Sequence, residues 1–378
     1  MDKTATEEKV YQIGLTMVPR IGDYLSKTLV AYCGSAQAVF STPISKLLKI
    51  PGIGKGIAQA IKPGLVLPNA EKEWEKLQKA GYKALFFTDA EYPFLLKQAN
   101  DAPAMLYVAG PANLNPEKSI AIVGTRKATP YGKEMAASIV AGLAAFQPTI
   151  VSGLAFGIDV AAHKAALECG LPTIAAMATG LDVTYPNEHK AIASEIIRSG
   201  ALVTENLLGT KPEAPYFPAR NRIIAGLSPL TIVVEAASRG GGLITADIAL
   251  GYDREVMSVP GNVGMKYSEG CNKLILLNKA SIYTCPDDIV NLLGWEIGNK
   301  SKPKVVKVVS LKSFAEEEQK LIKSLHLEKE VQMDDLAWKT GLGINQCASM
   351  LLSLEFQGMV KALPGKKFRW IGPEISND

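Results

Sequence analysis

Five short segments that contain glycine each follow a predicted strand, and they hold most of the residues that could bind a ligand. They are residues 124–132, 152–159, 179–186, 239–246 and 260–262. Glycine lets the backbone approach a ligand closely, and the N–H groups at the start of the next helix attract anions. Together with Arg126 and the triplet Arg220-Asn221-Arg222, the five segments predict a surface that binds several phosphates. Taken singly, each turn is weak support, because a turn from strand to helix needs glycine for steric reasons alone.

The sequence lacks the signatures of common catalytic sites. Neither Gly54-Lys55 nor Gly132-Lys133 is followed by Ser or Thr, so the phosphate-binding loop G-x-x-x-x-G-K-[ST] is missing. The nucleophile elbow G-x-S-x-G is missing as well. We therefore expect a binding protein that is not an enzyme.

Three side chains near these segments have competing interpretations. His163 lies in an alanine-rich stretch, and we expect it to be buried and hydrogen-bonded. Asp159 could act as a base, but a carboxylate in the first turn of a helix more commonly orders that turn. Phe156 is either a platform on which a nucleobase stacks or a lid over the turn, and both interpretations stay open.

The charge distribution contains no polybasic tail. The chain of 378 residues has a formal net charge of +4, yet residues 119–293 contain 14 basic and 15 acidic side chains. A site for a polyanion must therefore be a local cluster that folding brings together.

Cysteine and hydropathy patterns indicate where the protein acts. Five widely spaced cysteines, three histidines and no C-x-x-C predict reduced thiols, no metal site and no cofactor. No apolar run is long enough to cross a bilayer, and the first residues mix charges without an apolar signal segment. We expect a cytoplasmic protein with no membrane partner.

Short apolar runs alternate with stretches of helical length between residues 119 and 293, which indicates a parallel sheet covered by helices. Strands are predicted at 120–123, 149–151, 173–177, 201–204, 230–235, 255–259 and 281–283, with two more at 84–88 and 105–108. We assign residues 67–298 to an extended Rossmann-like, doubly wound α/β domain with a mainly parallel sheet. Residues 1–66, with two glycine- and proline-punctuated helical repeats, are assigned to a helical module that resembles helix-hairpin-helix or SAM domains.

The rest of the chain predicts a basic linker over residues 299–310 and a winged-helix domain over 311–378. Helices are expected at 315–325, 333–340 and 344–357, followed by a two-stranded wing. The third helix contains no basic residue, which argues against reading of the major groove by that helix. Wing residues Lys366, Lys367 and Arg369 could contact phosphates, and contact with a protein is an equal alternative.

Seven motifs then occur in an order that is typical of one bacterial family. They are Val123-Gly124-Thr125-Arg126, Tyr131-Gly132, residues 152–159 with His163, Gly180-Leu181-Asp182 with Tyr185-Pro186, residues 217–226, Leu243-Ile244-Thr245-Ala246 and Val259-Pro260-Gly261. In these motifs the sequence resembles the DNA-processing protein A (DprA, also called Smf) family, in detail over residues 84–293 and more loosely in the flanking modules. The resemblance implies a homodimer that binds single-stranded DNA in a basic pocket, protects incoming DNA and loads the RecA recombinase during natural transformation.

The candidate DNA-binding residues combine this resemblance with the turns and cations described above. They are Gly124, Thr125, Arg126, Lys127, Ser152, Gly153, Phe156, Gly157, Asp159, Lys190, Lys211, Arg220, Asn221, Arg222, Gly240, Gly241, Gly242 and Thr245. Two positions depart from the family pattern. His189 stands where Asn is usual, which puts the contact made by that turn in doubt. Gly240-Gly241-Gly242 replaces a more usual Ser-Gly-Ser and keeps the backbone N–H groups.

Two other classes of protein remain as alternatives. A nucleotide phosphoribohydrolase of the LOG type has a similar fold, but its signature P-G-G-x-G-T-x-x-E is missing, since Gly242 is followed by Leu-Ile-Thr-Ala-Asp. A winged-helix transcription regulator with a ligand-sensing core is the third interpretation, and the lack of basic residues in the third tail helix weighs against it.

Overall fold

The computed structural model describes residues 3–296, 308–311, 314–328, 331–363, 367–370, 372 and 374–376. The chain divides into two compact units, residues 1–297 and 298–378.

A nine-stranded sheet forms the centre of the first unit, in the order β1-β2-β6-β5-β4-β3-β7-β8-β9. Its strands are β1 Lys83–Phe86, β2 Met105–Ala109, β3 Ser119–Val123, β4 Thr149–Ser152, β5 Thr173–Ala176, β6 Ala201–Thr204, β7 Leu230–Val233, β8 Glu255–Ser258 and β9 Ser281–Ile282. Strands β3 to β9 pair in parallel. Strand β1 pairs with β2 and β2 with β6 in antiparallel fashion. The predicted α/β class with a mainly parallel sheet is confirmed.

The helices of this unit cover both faces of the sheet. They are α1 Lys3–Met17, α2 Asp23–Cys33, α3 Ala36–Ser41, α4 Ile44–Leu47, α5 Lys55–Ala60, α6 Pro63–Ala80, α7 Phe94–Lys97, α8 Pro130–Gly142, α9 Ile158–Glu168, α10 Lys190–Ser199, α11 Tyr216–Gly226, α12 Gly241–Gly251, α13 Glu269–Leu276 and α14 Pro286–Leu293. Short 3-10 turns lie at Ala144–Phe146 and Asn187–His189. The inner strands are buried on both faces, as their continuous apolar runs predict.

The N-terminal helices share a hydrophobic core with one face of the sheet. Ile13, Leu29 and Trp74 belong to the same buried cluster as Tyr107 and Leu202 from the strands. The predicted boundary between residues 66 and 67 falls inside α6, because Pro63 begins that helix. Proline is favoured at the first helical position, where its missing N–H has no acceptor to lose.

Arg222 of α11 joins the N-terminal helices to the sheet. Its guanidinium donates to the Asp23 carboxylate at 2.8 Å, to the Glu205 carboxylate and to the backbone oxygen of Asp101. Asp23 in turn accepts from the backbone N–H of Ala104 at 2.8 Å. The Arg222 side chain is 16% exposed, so this charge network is largely removed from water.

The second unit is a winged helix with its own core. It contains β10 Val308–Ser310, α15 Glu316–Glu328, β11 Val331–Gln332, α16 Met333–Thr340, α17 Ile344–Phe356, β12 Val360–Leu363, β13 Lys367–Trp370 and β14 Glu374–Ser376. Leu321, Leu336, Leu351 and Leu354 lie in the buried cluster. Strands β11, β13 and β12 form an antiparallel sheet, and β10 pairs in parallel with β14.

The predicted wing lies on β12 and β13, and its turn residues 364–366 fall outside the described part of the chain. Of the predicted linker, residues 299–307 also fall outside it, and the last three form β10. Within the described ranges, no helix has both the length and the apolar composition needed to cross a membrane.

We predict that Arg222→Ala lowers the free energy of unfolding by about 3 kcal/mol, because it leaves the carboxylates of Asp23 and Glu205 without their cation in a largely buried place. Urea denaturation would measure the change. Lys79→Ala is the matched control, since Lys79 forms only an exposed pair with Glu75, and it should change stability by less than about 0.5 kcal/mol. Equal stability of the two variants would contradict a structural role for Arg222.

Candidate nucleic-acid interface

A cleft of about 600 Å³ lies beyond the carboxyl ends of β3 and β7, where parallel sheets usually bind their ligands. Four segments line it: the turn after β3, the start of α9, helix α11 and the start of α12. The lining residues are Val123, Gly124, Thr125, Arg126, Ala155, Asp159, Ala214, Phe217, Pro218, Arg220, Asn221, Ile224, Ala236, Ala237, Arg239, Gly240, Gly241, Gly242, Ile244 and Thr245. The structure thus brings together ten of the eighteen candidate residues, counting Asp159 and the three glycines of 240–242.

A buried guanidinium forms the floor of the cleft. Arg220 is 5% exposed, and its Nη1 atom donates to the backbone oxygen of Gly153 and to that of Ala176 at 2.6 Å. Its Nε donates to the Asn221 side chain at 3.3 Å. A Cβ atom on Gly153 would stand 2.4 Å from Arg220 Nη1, so this position has no room for a larger residue. Arg220 therefore shapes the floor and offers little of its surface to a ligand.

Asp159 lies beside Arg220 and is also buried. Burial raises the pKa of the Asp159 carboxyl, while the positive charge of Arg220 and a hydrogen bond from the Ala155 backbone oppose that rise. The carboxylate stands in the first turn of α9, as expected for a group that orders a helix start. It is the one acidic side chain among the described residues that line the cleft.

Arg126 stands at the mouth of the cleft and is exposed. Its guanidinium carbon lies 5.0 Å from the centre of the Phe217 ring, a cation–π contact. The hydrogen bonds and ion pairs of the described residues give it no acidic partner, and the same holds for Arg239 across the cleft. These two cations therefore keep their charge available for an anion.

An aromatic rim continues from the mouth of the cleft. Phe156 is 44% and Tyr185 46% exposed, and the Tyr185 ring meets Phe217 edge-on at 5.5 Å. The recess between them has a volume of only about 30 Å³, which is too small for a nucleobase. A base can therefore stack on the outer surface of these rings. From sequence, Phe156 could be either a platform for a base or a lid over the turn. Its exposed ring favours the platform.

Two turns need glycine because neighbouring atoms lie too close to admit a Cβ atom. A Cβ on Gly157, whose φ is +83°, would stand 2.2 Å from the Thr125 backbone oxygen, and one on Gly124 would stand 2.5 Å from Ile158. By contrast, added Cβ atoms at Gly240 and Gly241 meet nothing within 4 Å. Helix α12 begins at this open loop, and the first N–H groups of a helix have no acceptor within it.

Several candidate residues lie elsewhere. Ser152 is buried and donates to the Ile122 backbone oxygen at 2.6 Å. Lys127, Lys190 and Lys211 are exposed but line neither the cleft nor the aromatic recess. Arg222 is held by the carboxylates of Asp23 and Glu205 and does not line the cleft, so its role as a DNA contact stays a prediction.

The two histidines of this region have structural partners. His163 is fully buried, its Nδ1 lies 2.7 Å from the Thr173 hydroxyl, and burial lowers its pKa to about 3. This is the hydrogen-bonded structural histidine that the sequence predicts. His189, the departure from the family pattern, has Nδ1 2.7 Å from the Leu154 backbone oxygen and its ring 4.8 Å from Phe156. It supports the turn that carries Phe156.

Sequence reasoning missed Phe217, Tyr185 and Arg239 as members of the site, although all three lie in the motifs and turns it singled out. An aromatic residue three positions before Arg220 was the available signal, since one helical turn places both on the same side.

Among the described residues, no group of histidine, cysteine and acidic side chains could hold a metal ion.

Two family models match this chain, one over the sheet domain and one over the winged helix. A family model described as DNA recombination-mediator protein A matches residues 83–294, and the DprA winged helix domain model matches residues 310–366. The chain belongs to this family. A putative DNA processing protein DprA of Mycobacterium tuberculosis is 33% identical over 327 residues, which cover 83% of this chain and 84% of the relative. Protein Smf of Escherichia coli is 36% identical over 282 residues, covering 72% and 74%.

Two solved structures of family members resemble the fold. DprA from Streptococcus pneumoniae has a TM-score of 0.67 and 31% identity, and the match covers 76% of this chain and 98% of that one. DprA from Helicobacter pylori, a structure that addresses the single-stranded DNA binding mode of that protein, has a TM-score of 0.52 and 28% identity, covering 57% and 97%.

We predict that the affinity of the cleft for an anion rises as the pH falls below neutral. The raised pKa of Asp159 means that it takes up a proton earlier than an ordinary aspartate, and protonation removes the negative charge beside Arg220 and Arg126. Asp159→Asn should therefore bind an oligonucleotide more tightly at neutral pH and lose this part of the pH dependence. Fluorescence anisotropy over a pH series would measure both, and parallel pH profiles for the two proteins would contradict the prediction.

Proposed function

We propose that this protein binds single-stranded DNA in the cleft at the carboxyl edge of its sheet and catalyses no reaction there. One observation carries the proposal: Arg126, exposed and with no acidic partner among the described residues, lies against Phe217 at the mouth of a cleft that the start of helix α12 also lines. The cation and the helix start suit phosphates, and the exposed rings of Phe156 and Tyr185 suit unpaired bases. A base held in a duplex has no exposed face to offer to these rings.

The family supports the cellular role that we propose. Its description as a recombination mediator and the single-stranded DNA binding mode studied in the Helicobacter pylori relative suit a protein that receives incoming DNA. We propose that it protects such DNA in the cytoplasm and loads the RecA recombinase on it during natural transformation.

The absence of catalysis is part of the same proposal. The phosphoribohydrolase signature ends in a glutamate, whereas the acidic residue in this segment is Asp247. Asp247 forms an exposed ion pair with Lys279 at 2.8 Å. The Asp159 carboxylate is buried near the Arg220 guanidinium, in the first turn of α9. These contacts favour a binding site over the nucleotide-cleaving alternative.

We also propose a homodimer through the late strands and helices of the sheet domain. Leu274 of α13 is buried, whereas Leu276 at its end is 80% and Leu277 just after it 53% exposed, and Ile282 of the edge strand β9 is 48% exposed. Exposed apolar side chains and a sheet edge that no other strand of the described residues covers suit pairing with a second copy. Two clefts on one strand would raise apparent affinity by roughly 10²–10⁴ because the second engagement is intramolecular.

We expect Arg126→Ala to weaken binding to single-stranded oligonucleotides by about tenfold or more, since it removes both a phosphate contact and the cation on Phe217. The slope of log affinity against log salt should fall by about 0.7 for the one phosphate lost. A gel-shift series with single- and double-stranded oligonucleotides at several salt concentrations measures both effects. Arg198→Ala, an exposed arginine on α10 outside the cleft, is the control.

Equal affinity of the wild-type protein for single and double strands would exclude this site as proposed. So would an Arg126→Ala protein that binds like Arg198→Ala.

For the dimer, Leu276→Asp should give a folded monomer in light scattering, because a charge in an apolar interface is costly to bury. Binding to long oligonucleotides should weaken more than binding to short ones. Leu65→Asp, at a leucine that is 63% exposed on α6, is the control and should leave the assembly unchanged. A wild-type protein that is monomeric at micromolar concentration, with full affinity for long strands, would refute the dimer.

A further inference from the structure

A second cleft, of about 840 Å³, lies at the same edge of the sheet beyond β7 and β8. Its lining combines aromatic, thioether, amide and ammonium groups. The residues are Thr129, Pro130, Tyr131, Glu235, Pro260, Gly261, Asn262, Met265, Lys266, Tyr267 and Ser268. None of them contributes to the function proposed above.

The two clefts stand on opposite sides of one thin wall. The turn after β3 supplies Thr125 and Arg126 to the first cleft and Thr129 to the second, and the end of β7 supplies Ala236 to the first and Glu235 to the second. The backbone N–H of Thr125 donates to the backbone oxygen of Glu235 at 2.7 Å, and this hydrogen bond joins the two segments. A chain molecule that leaves the first cleft across this wall enters the second.

The walls of the second cleft are firmly held. Asn272 bonds both backbone groups of Gly261, donating to its oxygen at 2.8 Å and accepting from its N–H at 3.1 Å. A Cβ on Gly261 would stand 2.1 Å from Ser268 Oγ, so the loop rests directly on the start of α13. The fixed loop presents Met265, which is 57% exposed, opposite Tyr131, which is 48% exposed.

The charge of the second cleft is positive towards solvent. Glu235 is 6% exposed, and its oxygens accept from the backbone N–H of Thr129 at 2.9 Å and from the Thr129 hydroxyl at 2.5 Å. The carboxylate is thereby turned into the start of α8. Lys266 is exposed and forms no hydrogen bond or ion pair with the described residues, and its ammonium lies 5.9 Å from the centre of the Tyr267 ring.

We propose that the second cleft is a further nucleotide subsite for the same single strand. A base would lie against Tyr131 and Met265 with its edge near the Asn262 amide, and a phosphate would lie near Lys266. The chemistry repeats that of the first cleft, a cation with no carboxylate partner in the described part of the chain beside an exposed ring, and the shared wall makes the path continuous. The inference rests on the proposed function, because it extends the strand held by Arg126.

The test compares oligothymidylates of about 4 and about 16 nucleotides, a range of lengths that single-strand sites cover. The double variant Tyr131→Ala/Lys266→Ala should bind the long strand about tenfold or more weakly and the short strand as the wild type does. Photo-crosslinking with 5-iodouracil in the long strand should label peptides that contain Tyr131 or Met265. The control is Tyr24→Ala/Lys164→Ala, whose residues are exposed and line neither cleft, and thermal melting checks the fold of both proteins.

Unchanged affinity for the long strand, together with no cross-link at Tyr131 or Met265, would overturn the subsite; a cleft that receives a protein side chain would give that result. The measurement is repeated in the Leu276→Asp background, where a strand cannot reach a second protomer, and the length-dependent loss should persist. The proposed function has its own readout, because it fails if Arg126→Ala leaves binding of the short strand intact. The two failures are therefore distinguishable.

Discussion

The buried guanidinium of Arg220 is the interaction on which the cleft depends. It ties helix α11 to the ends of β4 and β5 through the backbone oxygens of Gly153 and Ala176. A buried charge is costly unless it is hydrogen-bonded, and here two carbonyl oxygens accept from the guanidinium while the negative charge of Asp159 lies nearby. The missing Cβ of Gly153 leaves room for the Arg220 and Asp159 side chains. Because the floor is neutralised from within, the exposed positive charge stands at the mouth of the cleft, on Arg126 and Arg239.

Arg220 and Arg222 of helix α11 point in different directions and make different contacts. Residues two apart on an α-helix point about 200° apart around its axis. Arg220 therefore faces the cleft, while Arg222 faces Asp23 and Glu205 and secures the N-terminal helices. The triplet Arg220-Asn221-Arg222 looks like one basic cluster in sequence, yet folding assigns its two charges to different tasks. An ion pair of this kind also explains why the N-terminal helices share a core with the sheet.

The parallel strands and the glycine-containing turns that follow them could be predicted from sequence because each is local: an apolar run, then glycines, then a helix start. The antiparallel pairing of β1 and β2 beside β6 could not, since it joins segments that no local pattern relates. Lys190 and Lys211 are predicted DNA contacts that do not line the cleft, since sequence alone does not show which surface lysines folding brings to one edge. Phe156 is predicted from sequence as a possible stacking platform, but the rest of the aromatic rim is not. Tyr185 comes from a different turn and Phe217 from helix α11, and only folding brings their rings together.

The charge balance of the sheet domain explains how a nearly neutral fold can hold a polyanion. Residues 119–293 carry 14 basic and 15 acidic side chains, so affinity must come from placement. Carboxylates near the ligand edge are turned inward, as Asp159 is towards Arg220 and Glu235 towards the start of α8. Cations at the same edge, Arg126, Arg239 and Lys266, keep no carboxylate partner among the described residues. The edge is therefore positive where the chain as a whole is not, and its attraction for phosphates falls off within about a Debye length of these few side chains.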